Sequence, residues 1–138
     1  MPWASAGYDE SSALEWIEGA EAENPFVIID GDGTLVGSCG INGTDDVNKR
    51  ANLGYWVRSD RTGRGVATSA TRVLATHGIE QLGLVRLEII MSVSNVASRR
   101  VAERAGATYE GVLKSRLLLH GERHDAHSFS VTTRAQLD

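Results

Sequence analysis

The residues best suited to chemistry lie between Gly54 and Leu74, where the sequence reads GYWVRSDRTGRGVATSATRVL. A short aromatic and β-branched run predicts a strand, which leads through a polar turn with two glycines, Gly63 and Gly65, into a helical pattern. Glycines let a ligand approach the main chain, and the first turn of a helix offers unpaired N–H groups and a positive dipole end. Three arginines surround the turn: Arg58, Arg61 and Arg64. Together these features predict a site for a polyanionic ligand that carries phosphates.

Two nucleotide-binding motifs with similar glycines do not match this turn. A P-loop needs Lys and then Ser or Thr after its last glycine, whereas Val66 and Ala67 follow Gly65. The dinucleotide fingerprint needs a third glycine, and Thr68 stands at that position. The remaining alternative is a β-to-α connection that needs glycines only for its geometry.

Composition predicts a single globular domain that spans residues 1–138. Hydrophobic residues make up 41% of the chain and charged residues 23%, as in soluble proteins. No apolar run approaches membrane-spanning length and the first residues do not resemble a signal peptide, so we expect a cytoplasmic protein with no membrane association. Cys39 is the single cysteine and the four histidines form no ligand motif, so we expect no disulfide and no metal.

Charge is distributed unevenly along the chain. Residues 1–48 contain ten acidic side chains and no Lys or Arg, whereas residues 49–138 contain fourteen basic and eight acidic side chains. The basic part suits an anionic ligand; the acidic part either attracts a cationic one or is simply the solvated face of a helix. A nucleic-acid partner is not expected, because the net charge is −4 and the basic residues are not interleaved with aromatic ones.

The segments around the glycine turn predict an α/β fold, a mixed sheet with helices on its faces. Before the turn we expect a helix from Ser11 or Ser12 to about Ala22 and an antiparallel meander of Phe26–Ile29, Thr34–Ile41 and about Arg50–Val57, with a tight turn at Asp30–Gly33 and a polar loop at Asn42–Asn48. After the turn we expect a helix from about Gly65 to Gly83, with one face formed by Val66, Ala70, Val73, Leu74 and His77. A strand, Leu84–Val93, should follow and be buried on both faces. The next helix, Val96–Ala105, is capped by Asn95 and closed by Gly106, and a hairpin of Thr108–Leu119 and Arg123–Thr133 comes last. The strand, helix, strand order in the middle implies one parallel pair.

Three segments in this order, GYWVRSDRTGRGVATSA, NVASRRVAERAGATYEGVLK and HGERHD, resemble the GNAT acetyltransferase superfamily. Within it the chain is similar to the ribosomal-protein-serine and ribosomal-protein-alanine N-acetyltransferases. The resemblance covers nearly everything from Phe26 onward and implies the GNAT-like acyl-CoA N-acyltransferase fold. Family members usually begin with a further strand and helix, and by resemblance we expect this sequence to start after them; a shortened chain, a partner chain that takes their place and an open acceptor site are the alternatives. We therefore expect an open sheet edge that a second copy covers, and hence a homodimer.

The resemblance also implies acetyl-CoA as the co-substrate. Residues 62–67 stand where the family has [Q/R]-x-x-G-x-[G/A], whose backbone amides hold the pyrophosphate; Gly65 and Ala67 match this pattern and Thr62 does not. Residues 55–57 fall where a family strand pairs with the pantetheine arm. The residues expected to bind the coenzyme are Tyr55, Trp56, Val57, Thr62, Gly63, Arg64, Gly65, Val66, Ala67, Thr68, Asn95 and Ser98.

By the same resemblance, the side-chain amide of Asn95 meets the pantetheine arm, and Ser98 is the serine that can hydrogen-bond the coenzyme sulfur. The catalytic candidates are Ser98 as the acid and Glu88 as the base. The residues at the family positions of the base are Leu117 or, for other branches, Ile90. Glu88 lies two residues before Ile90 and therefore on the same face of the strand. The tyrosine that those branches use as an acid is replaced by Ala102. His120, Asp125 or an ordered water are further alternatives for the base.

The resemblance implies an acetyl-CoA-dependent N-acetyltransferase that acts on a primary amine by direct attack in a ternary complex. The expected acceptor is the α-amino group at a protein N-terminus. Two alternatives remain: a small-molecule amine such as an antibiotic or a polyamine, and a non-catalytic acyl-CoA-binding module.

Overall fold

The computed structural model describes residues 24–29, 33–57 and 65–138. The helix expected near residues 11–22, residues 30–32 of the first hairpin turn and residues 58–64 of the glycine turn lie outside these ranges. Within the described ranges, three strands, a helix, a strand, a second helix and two strands follow one another, and a short 3-10 helix closes the chain.

The described strands form a six-stranded sheet in the order β1-β2-β3-β4-β6-β5. The strands are β1 (Asn24–Ile29), β2 (Leu35–Asp45), β3 (Arg50–Val57), β4 (Arg86–Ser92), β5 (Thr108–Leu119) and β6 (Glu122–Val131). The helices are α1 (Val66–Glu80) and α2 (Val96–Ala105), and the 3-10 helix is Arg134–Leu137. Every neighbouring pair is antiparallel except β3 and β4, which are parallel because α1 carries the chain back between them.

The core lies between one face of the sheet and the helices. Its buried side chains on the central strands include Ala51, Leu53, Leu87, Ile89, Phe129 and Val131. Gly78 lets α1 approach this face closely, since a Cβ atom there would lie 3.1 Å from both the Ile41 and the Leu87 Cδ1 atoms. No helix in the described part of the chain is long and apolar enough to span a membrane.

The expected order of elements is confirmed within the described ranges, but β2 is longer than predicted. Residues 42–45 were expected in a loop, yet Asn42 pairs with Asn52 and Asp45 pairs with Arg50. The Asp45 carboxylate explains the extension, because it accepts hydrogen bonds from the backbone amides of Val47 (3.1 Å) and Asn48 (3.0 Å) and thus closes a tight turn. Polar residues conceal this part of the strand from a hydrophobicity pattern.

Two predictions about burial are wrong. The fourth strand was expected to be buried on both faces, but its residues alternate: Leu87, Ile89 and Met91 are buried, whereas Arg86, Glu88 and Ile90 are partly exposed. Of the two described helices, α1 supplies Leu74 and Ala75 and α2 supplies Ala102 to the same buried core as Leu87, Ile89 and Met91. Val73, expected on the inner face of α1, is 71% exposed.

Candidate active site

The central feature of the site is an opening between β3 and β4. The two strands pair only over three residues each, Arg50–Asn52 with Arg86–Glu88. Beyond these pairs β3 continues to Val57 beside β2, and β4 continues to Ser92 beside β6. No strand of the described sheet therefore fills the space between the two, and the edge of β3 from Leu53 onward can hydrogen-bond an extended ligand.

The N-terminus of α1 follows β3 along the chain and provides the second feature of the site. Gly65 precedes the helix with φ 74°, a left-handed conformation that glycine adopts readily, and no side chain caps the helix there. The backbone amides of Val66, Ala67 and Thr68 belong to the first turn, where N–H groups have no partner within the helix. These amides are available to an anion. Of the other predicted residues of this turn, Thr62, Gly63 and Arg64 lie outside the described ranges.

Tyr55 and Ser98 meet across the opening. The Tyr55 hydroxyl lies 2.8 Å from the Ser98 backbone oxygen, to which it donates, and 2.9 Å from Ser98 Oγ. Tyr55 is on β3 and Ser98 is in the first turn of α2, so the contact joins both sides of the opening. Burial raises the pKa of the Tyr55 phenol to about 12, and the hydrogen bond with Ser98 opposes this shift. The phenol therefore keeps its proton at neutral pH.

Asn95 has a structural role that limits how it can meet a ligand. Its Oδ1 atom accepts a hydrogen bond from the Ser98 backbone amide at 3.0 Å and so caps α2, as predicted. This bond leaves the Nδ2 group and the second lone pair of Oδ1 for the predicted ligand. Trp56 pairs with Ser38 and Val57 with Gly37, which places both residues on the stretch of β3 that lines the opening.

Glu88 lies at the point where the strands separate, but arginines already hold its carboxylate. Its Oε2 atom accepts from Arg86 Nε at 2.9 Å, and its Oε1 atom lies 3.6 Å from Arg50 Nη1. The two arginines therefore compete with an incoming amine for this carboxylate. Arg86 also binds Glu110 through two hydrogen bonds, and so connects β4 to β5.

Of the two other candidates for the base, Asp125 is already engaged and His120 lies at the turn of the terminal hairpin. Asp125 accepts from the Ser115 backbone amide at 2.9 Å and from Lys114 at 3.4 Å, and the pKa of its carboxyl is lowered chiefly by the Ser115 amide. Ala102 is buried in the core and Leu117 pairs with His124 in the terminal hairpin. His120 adopts a positive φ of 50° at the turn of that hairpin. In the part of the chain that the structure describes, no three His, Cys, Asp or Glu residues are grouped to hold a metal ion.

Sequence reasoning assigned Tyr55 only a backbone role and missed its hydroxyl contact with Ser98. No sequence signal could have indicated this contact, because it joins residues 43 positions apart. Sequence reasoning also missed the arginines around Glu88. Their pairing depends on the register of β3, β4 and β5.

Comparison with known proteins relates the chain to one family of enzymes. The family model described as an acetyltransferase (GNAT) domain matches residues 1–108. The Bacillus subtilis (strain 168) protein YdaF, whose name places it provisionally among ribosomal N-acetyltransferases, is 38% identical over 103 residues, or 75% of this chain and 56% of YdaF. The ribosomal-protein-serine acetyltransferase of Escherichia coli (strain K12) is 31% identical over 96 residues, or 70% of this chain and 54% of that protein. The spermidine N(1)-acetyltransferase of the same strain is 24% identical over 106 residues, or 77% and 56%.

A solved structure shows the same fold. Mycobacterium smegmatis RimJ in complex with CoA-disulfide superposes with a TM-score of 0.76 and 30% sequence identity, over 91% of this chain and 63% of that one. The chain spans slightly more than half the length of the three relatives named above. The mixed α/β fold expected from the resemblance is confirmed, and the chain belongs to the GNAT acetyltransferase family.

Proposed function

We propose that this protein transfers an acetyl group from acetyl-CoA to a primary amine, and that the preferred amine is the α-amino group at a protein N-terminus. The observation that carries the proposal is the opening between β3 and β4, which has the Ser98 hydroxyl at its side. A stretch of β3 that does not pair with β4 suits the amide-containing pantetheine arm, and the first turn of α1 suits the pyrophosphate. The family match and the names of the relatives support acetyl transfer to an amine.

The reaction would join the two substrates directly. The amine nitrogen attacks the thioester carbonyl carbon, a C–N bond forms, the C–S bond breaks, and the proton lost by nitrogen ends on the coenzyme sulfur. Ser98 would donate a hydrogen bond to that sulfur as negative charge develops on it. Direct attack is consistent with the state of Cys39, which is buried; burial raises the pKa of its thiol to about 11, so it stays protonated and is a poor nucleophile.

The choice of acceptor follows from the surroundings of Glu88. Because arginines hold this carboxylate, an amine that arrives already neutral has an advantage. An α-amino group has a pKa of about 7.7 to 8.0, whereas that of a lysine side chain is about 10.4. At pH 7.5 the neutral fraction of the α-amine is therefore more than about a hundredfold larger. The name of the Escherichia coli serine-specific relative also favours a protein acceptor.

A polyamine is the second candidate acceptor, and the relative named as a spermidine acetyltransferase favours it. The discriminating experiment compares three acceptors with acetyl-CoA: a lysine-free peptide with a free N-terminus, an N-terminally blocked peptide with one lysine, and spermidine. We expect the first to have the highest kcat/KM. If acetyl-CoA binds in calorimetry but none of the acceptors is modified, the protein is the binding module instead.

We also propose a homodimer in which a second copy covers the β1 edge of the described sheet. This edge presents exposed apolar side chains, Phe26, Val27 and Ile29. They line a groove of about 610 Å³ between β1 and α1, together with Val73 and His77. Apolar surface of this kind is stabilised when another protein surface buries it. Light scattering that gives a monomer mass at high micromolar concentration would contradict the dimer.

The cytoplasmic location expected from the sequence stays a prediction.

A further inference from the structure

The contact between Tyr55 and Ser98 contains fewer protons than acceptors, and this constrains how Ser98 can act. Tyr55 is three residues beyond Asn52, the last residue of β3 that pairs with β4, and its ring is packed against the core. Its hydroxyl is within hydrogen-bond distance of two Ser98 atoms, the backbone oxygen (2.8 Å) and Oγ (2.9 Å). A phenol has one proton to donate, whereas a serine hydroxyl both donates and accepts.

Two arrangements satisfy these atoms. In the first, Tyr55 donates to the Ser98 backbone oxygen, and the Ser98 hydroxyl donates back to the Tyr55 oxygen. In the second, Tyr55 donates to Ser98 Oγ, and the Ser98 proton is free to point at a third group in the opening. The Ser98 backbone does not need to move between them, because Asn95 already fixes its amide at 3.0 Å.

We propose that Tyr55 is a positioning residue for the Ser98 hydroxyl. In the free protein the Tyr55 oxygen accepts a hydrogen bond from the Ser98 hydroxyl, and when Ser98 donates to the coenzyme sulfur the Tyr55 hydroxyl donates to Ser98 Oγ. The inference rests on the proposed function, in which the sulfur lies beside Ser98. A hydroxyl that accepts a hydrogen bond becomes a better donor, because bonds in a chain polarise one another. Tyr55 would therefore both orient and strengthen the interaction of Ser98 with sulfur.

The state of the phenol supports positioning over direct proton transfer. Burial raises the pKa of Tyr55 to about 12, so the phenol remains a donor throughout the physiological range. A thiol has a pKa of about 8.5, so a thiolate would be a weaker base than the phenolate that would form if Tyr55 gave up its proton. Tyr55 thus acts through Ser98 and does not become ionised.

The first experiment needs no acceptor amine, and so separates this inference from the choice of acceptor. Calorimetry measures the affinities of CoA and of desulfo-CoA, in which hydrogen replaces the thiol. We expect the parent protein to prefer CoA by about three- to tenfold, the size of one hydrogen bond. Ser98→Ala should lose this preference, and Tyr55→Phe, which keeps the ring, should lose most of it. Tyr109→Phe is the matched control, because it removes a hydroxyl that bonds His127 instead, and it should keep the preference.

A structural role alone would give a different result. If Tyr55 only attaches α2 to β3, Tyr55→Phe would lower the melting temperature but keep the full preference for CoA, and the proposal would be overturned. If Tyr55→Phe does not fold, Ser98→Ala decides: a variant that still prefers CoA as strongly as the parent shows that Ser98 has no bond to sulfur for Tyr55 to support.

Turnover gives the second test, with whichever acceptor proves active. Tyr55→Phe should lower kcat about tenfold and leave KM for acetyl-CoA within about twofold, the pattern of an interaction that strengthens in the transition state. In the Ser98→Ala background the same substitution should have almost no effect on kcat, because there is no hydroxyl left to position. If the kcat of the double variant falls by the product of the two single-variant losses, the two residues act independently and the proposal is contradicted. Absence of turnover with every amine would refute the proposed function and leave the calorimetric test intact.

Discussion

Gly106 and Gln136 approach each other so closely that no side chain fits between them. A Cβ atom on Gly106 would lie 1.9 Å from the Gln136 backbone oxygen. Gly106 also has φ 96° at the end of α2, a conformation that favours glycine. The Gln136 side chain supports the same junction, since its Nε2 group donates to Thr108 Oγ1 (3.0 Å) and to the Ser130 backbone oxygen (3.1 Å).

We therefore expect Gly106→Ala to destabilise the protein by at least about 3 kcal/mol, because unfavourable φ is combined with a clash against backbone. Gly83→Ala is the matched control: Gly83 follows α1 with φ 69°, but its Cβ would meet nothing within 4 Å. That variant should lose only about 1 kcal/mol. Urea denaturation measures both, and equal losses would mean that the chain end moves away from Gly106 at little cost.

Thr71 on α1 is fully buried, and its hydroxyl has no hydrogen-bond partner among the described residues. Replacing it with Val keeps the shape and removes the unsatisfied polar group. We expect Thr71→Val to stabilise the protein by about 1 kcal/mol. Thr76→Val on the same helix is the control, because the Thr76 hydroxyl donates to the Arg72 backbone oxygen at 2.8 Å. If Thr71→Val lowers the melting temperature, the hydroxyl has a partner after all.

Gly65 should be essential for coenzyme binding and dispensable for folding. Val does not readily adopt φ 74°, so Gly65→Val would displace the first turn of α1 and its amides, although no atom of the described residues lies within 4 Å of the position of its Cβ. We expect the Kd for acetyl-CoA to rise at least about tenfold, equivalent to about 1.4 kcal/mol. Gly83→Val introduces the same side chain at the other end of α1 and should bind acetyl-CoA like the parent. Unchanged affinity of the Gly65 variant would show that these amides do not hold the coenzyme.

Glu110 should contribute stability that depends on pH. Arg86 donates two hydrogen bonds to its carboxylate and Ser130 donates a third at 2.8 Å, and these, led by Arg86, lower the pKa of Glu110 to about 2. Because the pKa is lower in the folded state, the contribution is complete above the unfolded value of about 4.3 and disappears as the pH falls toward 2. The side chain is 36% exposed, so after allowance for solvent screening we expect about 1 kcal/mol.

Glu110→Gln tests this dependence by urea denaturation at several pH values. The variant should be less stable than the parent at pH 7, and the difference should shrink as the pH falls from about 5 toward 2, because over this range Glu110 takes up a proton in the unfolded parent before it does so in the folded parent. Glu122→Gln is the control at an 81% exposed side chain, where we expect no measurable difference at either end of this range. If the difference in unfolding free energy between the Glu110 variant and the parent stays constant with pH, the substitution acts through packing and not through the charge of the carboxylate.

The acceptor preference should show its own pH dependence. If no carboxylate removes the amine proton, kcat/KM for a peptide N-terminus should rise from about pH 6.5 and level off near the acceptor's own pKa of about 7.7 to 8.0. The blocked lysine peptide should react more than about a hundredfold more slowly at pH 7.5. Preferential modification of lysine would reveal an efficient base, and Glu88→Gln would then be the first variant to test.

Local patterns were sufficient for most elements because their causes are local. A strand, two glycines and an amphipathic run predict where α1 begins, and the Asn95 cap and the Gly106 ending bound α2 within a few residues. Predictions of strand length and of burial were wrong where contacts with segments distant in the sequence decided them. Asn42 and Asp45 belong to β2 because β3 pairs with them, and Val73 is exposed although the hydrophobic pattern assigned it to the same helical face as the buried Leu74.

The sequence by itself determined the order of the elements, the family, and the stretch of chain that begins the coenzyme site, since glycine spacing and hydrophobic period depend on adjacent residues. Only the tertiary structure decided which side chains meet in the site. β6 lies between β4 and β5, and β3 separates from β4 after Asn52. These two facts place the Tyr55 hydroxyl on Ser98 and join Glu88 to Glu110 through Arg86. Such contacts depend on strand order and register, which are set by packing of the whole sheet and leave no trace in any short segment of the chain.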